Sequence, residues 1–280
     1  MRRHIEPELL DDLPADDPRA IQSRRDLQRV NTLMGHPGLV TRALRRPPAP
    51  LRFLVELGAG DGTLLLRVAR RLGAQSGMRA VLVDRQPALS AATREGFADA
   101  GWQVETRQSD VFEWLCRPYP ETADVTLANL FLHHFRESEL ANLLNLIAQQ
   151  THYFVACEPR RSRTGVVGVP LLRFVGCNEV TLHDSDISVR AGFRDRELSA
   201  LWPNDAGWNL TERRRGLFTH AFVAARVPAV GREVTKAGNE RATPAGLSAR
   251  ESQTEASASA PDVSRDATIL RAAESASAEQ

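Results

Sequence analysis

The chain has 280 residues, a formal net charge of +1 from 36 Lys and Arg against 35 Asp and Glu, and three cysteines. That length holds one domain of ordinary size plus appendages, and the charge balance gives no electrostatic case for nucleic acid or an anionic membrane surface. No apolar stretch approaches the ~20 residues of a membrane span, and the scattered Cys116, Cys157 and Cys177 suit buried thiols in a reducing cytoplasm better than a disulfide framework or a zinc site.

Residues 1–17 are acidic and proline-punctuated and read as irregular; Arg2 and Arg3 are followed by Glu6, Glu8, Asp11 and Asp12, with no apolar signal core. From Arg19 to Leu44, Ile21, Leu27, Val30, Leu33 and Met34 recur at helical spacing, and Gly35-His36-Pro37-Gly38 breaks or kinks that helix. The polar run Pro18–Leu27 reads as a solvated helix packed on the sheet edge or as a lid; a partial lid is the expectation for this N-terminal segment, residues 1–50, with His36 at a lid position. Arg45–Pro50 is a stiff connector.

Strands and helices then alternate. Strands are expected at Arg52–Leu57, Arg79–Val83, Gln103–Thr106, Ala123–Ala128 and His152–Cys157, and helices at Thr63–Leu72, Pro87–Ala100 and Glu137–Gln150. This order predicts an α/β fold with right-handed crossovers and a doubly wound, mostly parallel sheet. Residues 160–203 form a mixed insertion. Trp208–Glu212 and Leu217–Ala225 read as a final antiparallel hairpin around Arg213-Arg214-Arg215-Gly216. No aromatic follows Phe222, so residues 227–280 read as a disordered tail with a weak helical tendency at Ser264–Ala273.

The most informative stretch is Glu56-Leu57-Gly58-Ala59-Gly60-Asp61-Gly62, a strand end, a tight turn and a helix start. Glycines there allow unusual dihedrals and close approach of a ligand. A dinucleotide turn needs G-x-G-x-x-G, but its third glycine would fall at Thr63, and Glu56 would repel a pyrophosphate. An ammonium-bearing ligand would be attracted by Glu56 or Asp61.

S-adenosylmethionine is such a ligand, and residues 51–225 resemble the class I S-adenosylmethionine-dependent methyltransferases. Their acidic-x-G-x-G-x-G motif matches Glu56 to Gly62. Their acid after the second strand matches Asp84, their acid after the third matches Asp110 beside Val111 and Phe112, and their fourth motif matches Ala128–Phe135. The resemblance implies a seven-stranded Rossmann-like sheet, with a domain over residues 51–226. It also implies that Gly58, Gly60 and Gly62 admit the methionine end of the cofactor and that Glu56 and Asp61 meet its ammonium. Asp84 would then hold the ribose, Asp110 the adenine amine, Val111 or Phe112 pack on the base, and Asn129 support the sulfonium region.

The fourth motif, Asn129-Leu130-Phe131-Leu132-His133-His134, lacks the prolines of nucleic-acid amino-methyltransferases and looks like small-molecule O- and C-methyltransferases. Two looser segments, around Asp16–His36 and Gly176–Pro203, are similar to bacterial methyltransferases of secondary metabolism, which implies a phenolic, quinone-like or polyketide acceptor. His133, His134 or His183 is expected to act as base or substrate hydrogen-bonding group. Adjacent histidines in an extended segment point to opposite sides, which argues against a shared metal. Glu158 is expected to face the pocket, Arg160 and Arg161 to be solvated, and His220 to be structural. The partner is a small molecule, with no nucleic acid and no membrane span. The rival readings are an RNA or protein methyltransferase, an inactive methyltransferase-like binding subunit and, third, a nicotinamide dehydrogenase; the oligomeric state stays open.

Overall fold

Every residue of Phe53–Leu57 (β1) is buried, as an apolar strand covered on both faces requires. It lies between Met78–Asp84 (β2) and Ala123–Asn129 (β4), parallel to both. Trp102–Gln108 (β3) pairs with β2, and Thr151–Pro159 (β5) with β4. Thr219–Arg226 (β7) runs antiparallel between β5 and the edge strand Trp208–Arg215 (β6), giving the order β3-β2-β1-β4-β5-β7-β6. The strand order reverses at β1 and β4, so the crevice of this seven-stranded sheet opens at their carboxyl ends. The mostly parallel α/β sheet with an antiparallel ending is the fold expected from the sequence.

This computed structural model describes residues 1–14, 16–47, 50–73, 77–117, 121–203 and 207–227. They belong to one unit, Met1–Val230; a second unit, Gly231–Gln280, and the tail expected at 227–280 lie outside the described residues from 228 onward.

Ten helices are found among the described residues: Leu9–Asp12 (α1), Pro18–Leu33 (α2), His36–Leu44 (α3), Thr63–Leu72 (α4), Ala91–Asp99 (α5), Val111–Cys116 (α6), Glu137–Gln150 (α7), Arg163–Gly168 (α8), Glu179–Ala191 (α9) and Glu197–Leu201 (α10). Alternate strand residues feed two cores. Val55, Val83 and Phe154 pack with Leu143 and Ile147 of α7; Leu54, Leu82 and Val155 pack with Leu65 and Val68 of α4 and Val40 of α3. This period of two places one apolar layer on each face. No helix of the described residues is long and apolar enough to cross a membrane.

Several boundaries differ from the sequence reading. The N-terminal helix does break at Gly35 (φ +71°). The α5 helix starts later than Pro87, because Ser90 Oγ accepts from the Thr93 N–H and caps it. The α6 helix was not anticipated; Asp110 starts it by accepting from the Phe112 N–H. Residues 9–12 form a helical turn whose first N–H groups are capped from afar, Leu9 and Leu10 donating to Asp184 on α9. The insertion is largely helical, with α8, α9 and α10. The hairpin turn sits at Gly216–Phe218 rather than Arg213–Gly216, since Arg213 pairs with Ala221 and Arg215 with Thr219.

Candidate active site

The glycine turn leaves β1 and enters α4. Gly58, Gly60 and Gly62 all have positive φ, at 67°, 55° and 70°. Gly58 and Ala59 donate to Val83 O, which fixes the turn against β2. A Cβ at position 58 would lie 2.3 Å from Phe131 Cδ2, whereas one at position 60 would meet nothing within 4 Å. Gly58 thus receives the Phe131 ring, and Gly60 leaves open space where a ligand can approach.

Acids surround this turn. Asp84 ends β2, its two oxygens accepting from the N–H groups of Gly60 and Gln86 at 2.8 Å each. A carboxylate keeps further lone pairs after two such bonds. Asp61 accepts from the N–H and hydroxyl of Thr63 through Oδ1. Asp110 is the cap of α6, and Val111 is buried in the core beside Val83. Glu56 is buried at the end of β1, and its Oε2 has no partner. Burial, with Asp61 and Asp84 adding negative charge, raises its carboxyl well above the usual range.

The N-terminal helices close over these residues. Gln28 Nε2 on α2 donates to Asp61 Oδ2 at 2.7 Å. Asn129, at the end of β4, donates to Asn31 Oδ1 at 2.9 Å and keeps a buried Oδ1 without a partner. Asn31 Oδ1 also lies 2.9 Å from His36 Nδ1, and His36 Nε2 lies 3.0 Å from Thr219 Oγ1. His36 is therefore a buried link between α3 and β7, not a group on a mobile lid surface; burial lowers it to about 4.

Beyond Asn129 the chain turns sharply. Leu130 has φ +51°, and Leu132–His134 form one 3-10 turn. Phe131 meets Phe135 edge-on at 5.1 Å, and Phe135 meets Phe112 at 5.7 Å, an aromatic row from the glycine turn to α6. The expectation that His133 and His134 point to opposite sides is wrong. In this tight turn their rings lie together, with centroids 4.3 Å apart and planes tilted by 32°.

His133 is buried among carboxylates. Its Nδ1 lies 2.8 Å from Glu158 Oε2, and its Nε2 lies 3.2 Å from Glu8 Oε1 and from Ser188 Oγ. Glu158 Oε1 accepts from the N–H groups of Phe131 and Leu132, locking the turn to β5. Burial works against charge on His133, but the hydrogen bonds and charges of Glu158 and Glu8 outweigh it and raise it to about 9. Glu8 shows the reciprocal effect: burial works to raise it, and His133, His134 and Ser188 bring it down to about 2. Burial, then the charge of His133, lowers His134.

The other candidates divide. His183 lies on α9, half exposed, 3.1 Å from Asp184. Glu158 reaches the site through His133. His220 is structural, its Nε2 2.7 Å from the buried Glu212. Arg161, expected to be solvated, is buried, donates to Gly192 O at 2.6 Å and pairs with Glu197. Sequence reasoning missed Glu8, Gln28, Asn31 and Ser188. Gln28 and Asn31 sit at i and i+3 on α2, a polar face that could have marked them; nothing local to Glu8 or Ser188 announces their meeting.

Comparisons with known proteins bear on the domain and its fold. A family described as a methyltransferase domain matches residues 54–152, from β1 to the start of β5. No curated protein matches the chain significantly. Among solved structures, an O-methyltransferase family protein from Burkholderia thailandensis is similar, with 20% identity, a TM-score of 0.52, and coverage of 76% of this chain and 61% of that one. The mitomycin 7-O-methyltransferase MmcR is similar at 20% identity and TM-score 0.52, covering 78% of this chain and 60% of that one. The plantazolicin methyltransferase BpumL in complex with SAH is similar at 11% identity and TM-score 0.53, covering 75% and 91%. The chain spans only about three fifths of the first two. Residues 54–152 therefore carry a methyltransferase-domain match, and the chain shares the fold of these solved methyltransferases.

Proposed function

We propose that the chain transfers the methyl group of S-adenosylmethionine to oxygen or carbon of a small molecule of phenolic, quinone-like or polyketide type. The carrying observation is the pair of buried, unpartnered oxygens at the crevice, Glu56 Oε2 and Asn129 Oδ1, beside the open approach at Gly60. Unpaired buried oxygens are costly unless a ligand supplies donors. A cofactor with an ammonium group fits them.

When bound, the cofactor would supply an electrophilic methyl group on a sulfonium, the thioether being the leaving group and the acceptor's proton passing to a base or to water. Glu56, with Asp61 nearby, meets the ammonium. Asp84 holds the ribose hydroxyls with its remaining lone pairs, and its bonds to Gly60 and Gln86 keep it aimed. Asp110, with the Phe112–Phe135–Phe131 row, borders the adenine, and Asn129 the sulfonium region. Gln28 and Asn31 of α2 cover the crevice and exclude water, which strengthens alignment and charge effects inside. Both ring nitrogens of His133 are hydrogen-bonded in the free protein, so it holds the turn; His134, partly exposed, and His183, half exposed, are the imidazoles left for the acceptor. The small-molecule reading is supported by the absence of prolines after Asn129 and by neighbours named for mitomycin and plantazolicin.

The test is calorimetric titration with S-adenosylmethionine, then mass spectrometry of phenolic and polyketide acceptors incubated with the loaded protein. We expect 1:1 binding, weakened in Asp84→Ala by about 1–3 kcal/mol, the scale of hydrogen bonds to a charged group. Methylation of extracted RNA with none of small acceptors would overturn the substrate class.

A further inference from the structure

We propose that Glu8, His133 and His134 bind a divalent transition-metal ion at the turn after β4, the ion displacing the proton that His133 Nε2 shares with Glu8. One ligand atom from each lies within 4.8 Å of the others. Two imidazoles held cis on one octahedral ion would have ring centroids roughly 4.5 Å apart, given metal–nitrogen bonds of about 2.1 Å. The observed separation is 4.3 Å. The 3-10 turn that brought the two rings to one side is what creates the site.

The surroundings are those of a metal centre. A ligating histidine characteristically has its second nitrogen bonded to a carboxylate that fixes ring orientation. Glu158 does this for His133 at 2.8 Å and is itself fixed by two backbone N–H groups. Glu8 is oriented by the Ser188 hydroxyl, which donates to Oε1 at 2.5 Å. The segment carrying Glu8 is anchored through Leu9 and Leu10 to Asp184. His134 is 26% exposed and has Asp11 Oδ2 at 3.7 Å, so an ion has an entry path and a further oxygen donor. Two imidazoles and a carboxylate with open positions select Zn²⁺, Mn²⁺, Fe²⁺ or Co²⁺ over Mg²⁺ or Ca²⁺.

The ring of His134 lies 6.5 Å from that of Phe131, the residue packed on Gly58. An ion here stands one side chain away from the glycine turn, where an acceptor hydroxyl or enol can ligate it and lose its proton more readily. That last role rests on the proposed methyl transfer; the binding site itself rests only on the donor geometry.

The experiment uses untagged, chelator-treated full-length protein titrated with Co²⁺ by visible absorption and with Zn²⁺ by calorimetry. We expect one equivalent, with cobalt bands shifted from those of the hydrated ion. His134→Ala, a partly exposed position, should weaken binding at least tenfold, and Glu8→Gln likewise. His152→Ala, on β5 outside the cluster, should leave it unchanged. Binding of S-adenosylhomocysteine by the same samples reports separately on the fold and on the cofactor site. Unaltered metal affinity in His134→Ala, an equal loss in His152→Ala, or no saturable binding by the parent protein would each overturn the proposal.

Discussion

Asn129 of β4 donates to Asn31 of α2 at 2.9 Å, and this bond ties the N-terminal helix to the strand end nearest the expected sulfonium. Its neighbour, Gln28 to Asp61, ties the same helix to the glycine turn. The cover and the cofactor crevice are thus one hydrogen-bonded assembly. Gln28→Ala should raise the dissociation constant for S-adenosylhomocysteine about fivefold, near 1 kcal/mol, with little change in melting temperature. Asn31→Ala should do more. It strands the Asn129 and His36 groups, costing about 1–3 kcal/mol of stability by denaturant unfolding as well.

The three glycines of the turn should not respond alike. Gly58→Ala sets a Cβ 2.3 Å from the Phe131 ring at a positive φ. Left-handed strain of about 1–2 kcal/mol adds to overpacking of about 1–3 kcal/mol, so global stability should fall clearly. Gly60→Ala meets no neighbour and bears only the strain. Its main effect should be on cofactor affinity, because the methyl enters the ligand's approach. Chemical denaturation and calorimetry of both variants separate the two roles.

His36 predicts an acid limb in stability. Burial lowers the folded-state value to about 4, against 6.5 for an ordinary histidine. Between these values the unfolded chain binds the extra proton and the folded chain does not. Stability is complete above pH 6.5 and falls as pH drops towards 4, by up to about 3 kcal/mol. His36→Gln should flatten that limb in urea unfolding measured between pH 7 and 4. An identical pH dependence in the variant would remove His36 as its source.

What the sequence revealed, and what it hid, follows from the range of the interactions. β1, α4, α7 and the order of acids are set by local periodicity and turn chemistry, so Glu56, the glycines, Asp84 and Asn129 were legible at their strand ends. The start of α5 depends on Ser90 as a cap, and α6 is six residues long, too short for a periodic signal. The clustering of Glu8, His133, Glu158 and Ser188 spans up to 180 residues of chain, and no local pattern encodes it. The two histidines were misjudged because a 3-10 turn replaced the extended backbone on which the alternation rule depends. Asp110 carries a visible local duty as a helix cap in addition to the adenine contact expected of it.

Glu56 gives the most direct test of the central claim, that a cationic nucleoside seats on the glycine turn. Burial, with Asp61 and Asp84 beside it, holds its carboxyl well above the usual range, which favours the protonated form in the free protein, and an arriving ammonium group should favour the charged one. Affinity should therefore increase with pH up to the free-state value. Titrating S-adenosylmethionine in buffers of different ionisation enthalpy should show saturable 1:1 binding with up to one proton released, and Glu56→Gln should bind more weakly with no such release. An absence of binding, or binding by Glu56→Gln with unchanged affinity and proton release, would contradict the account.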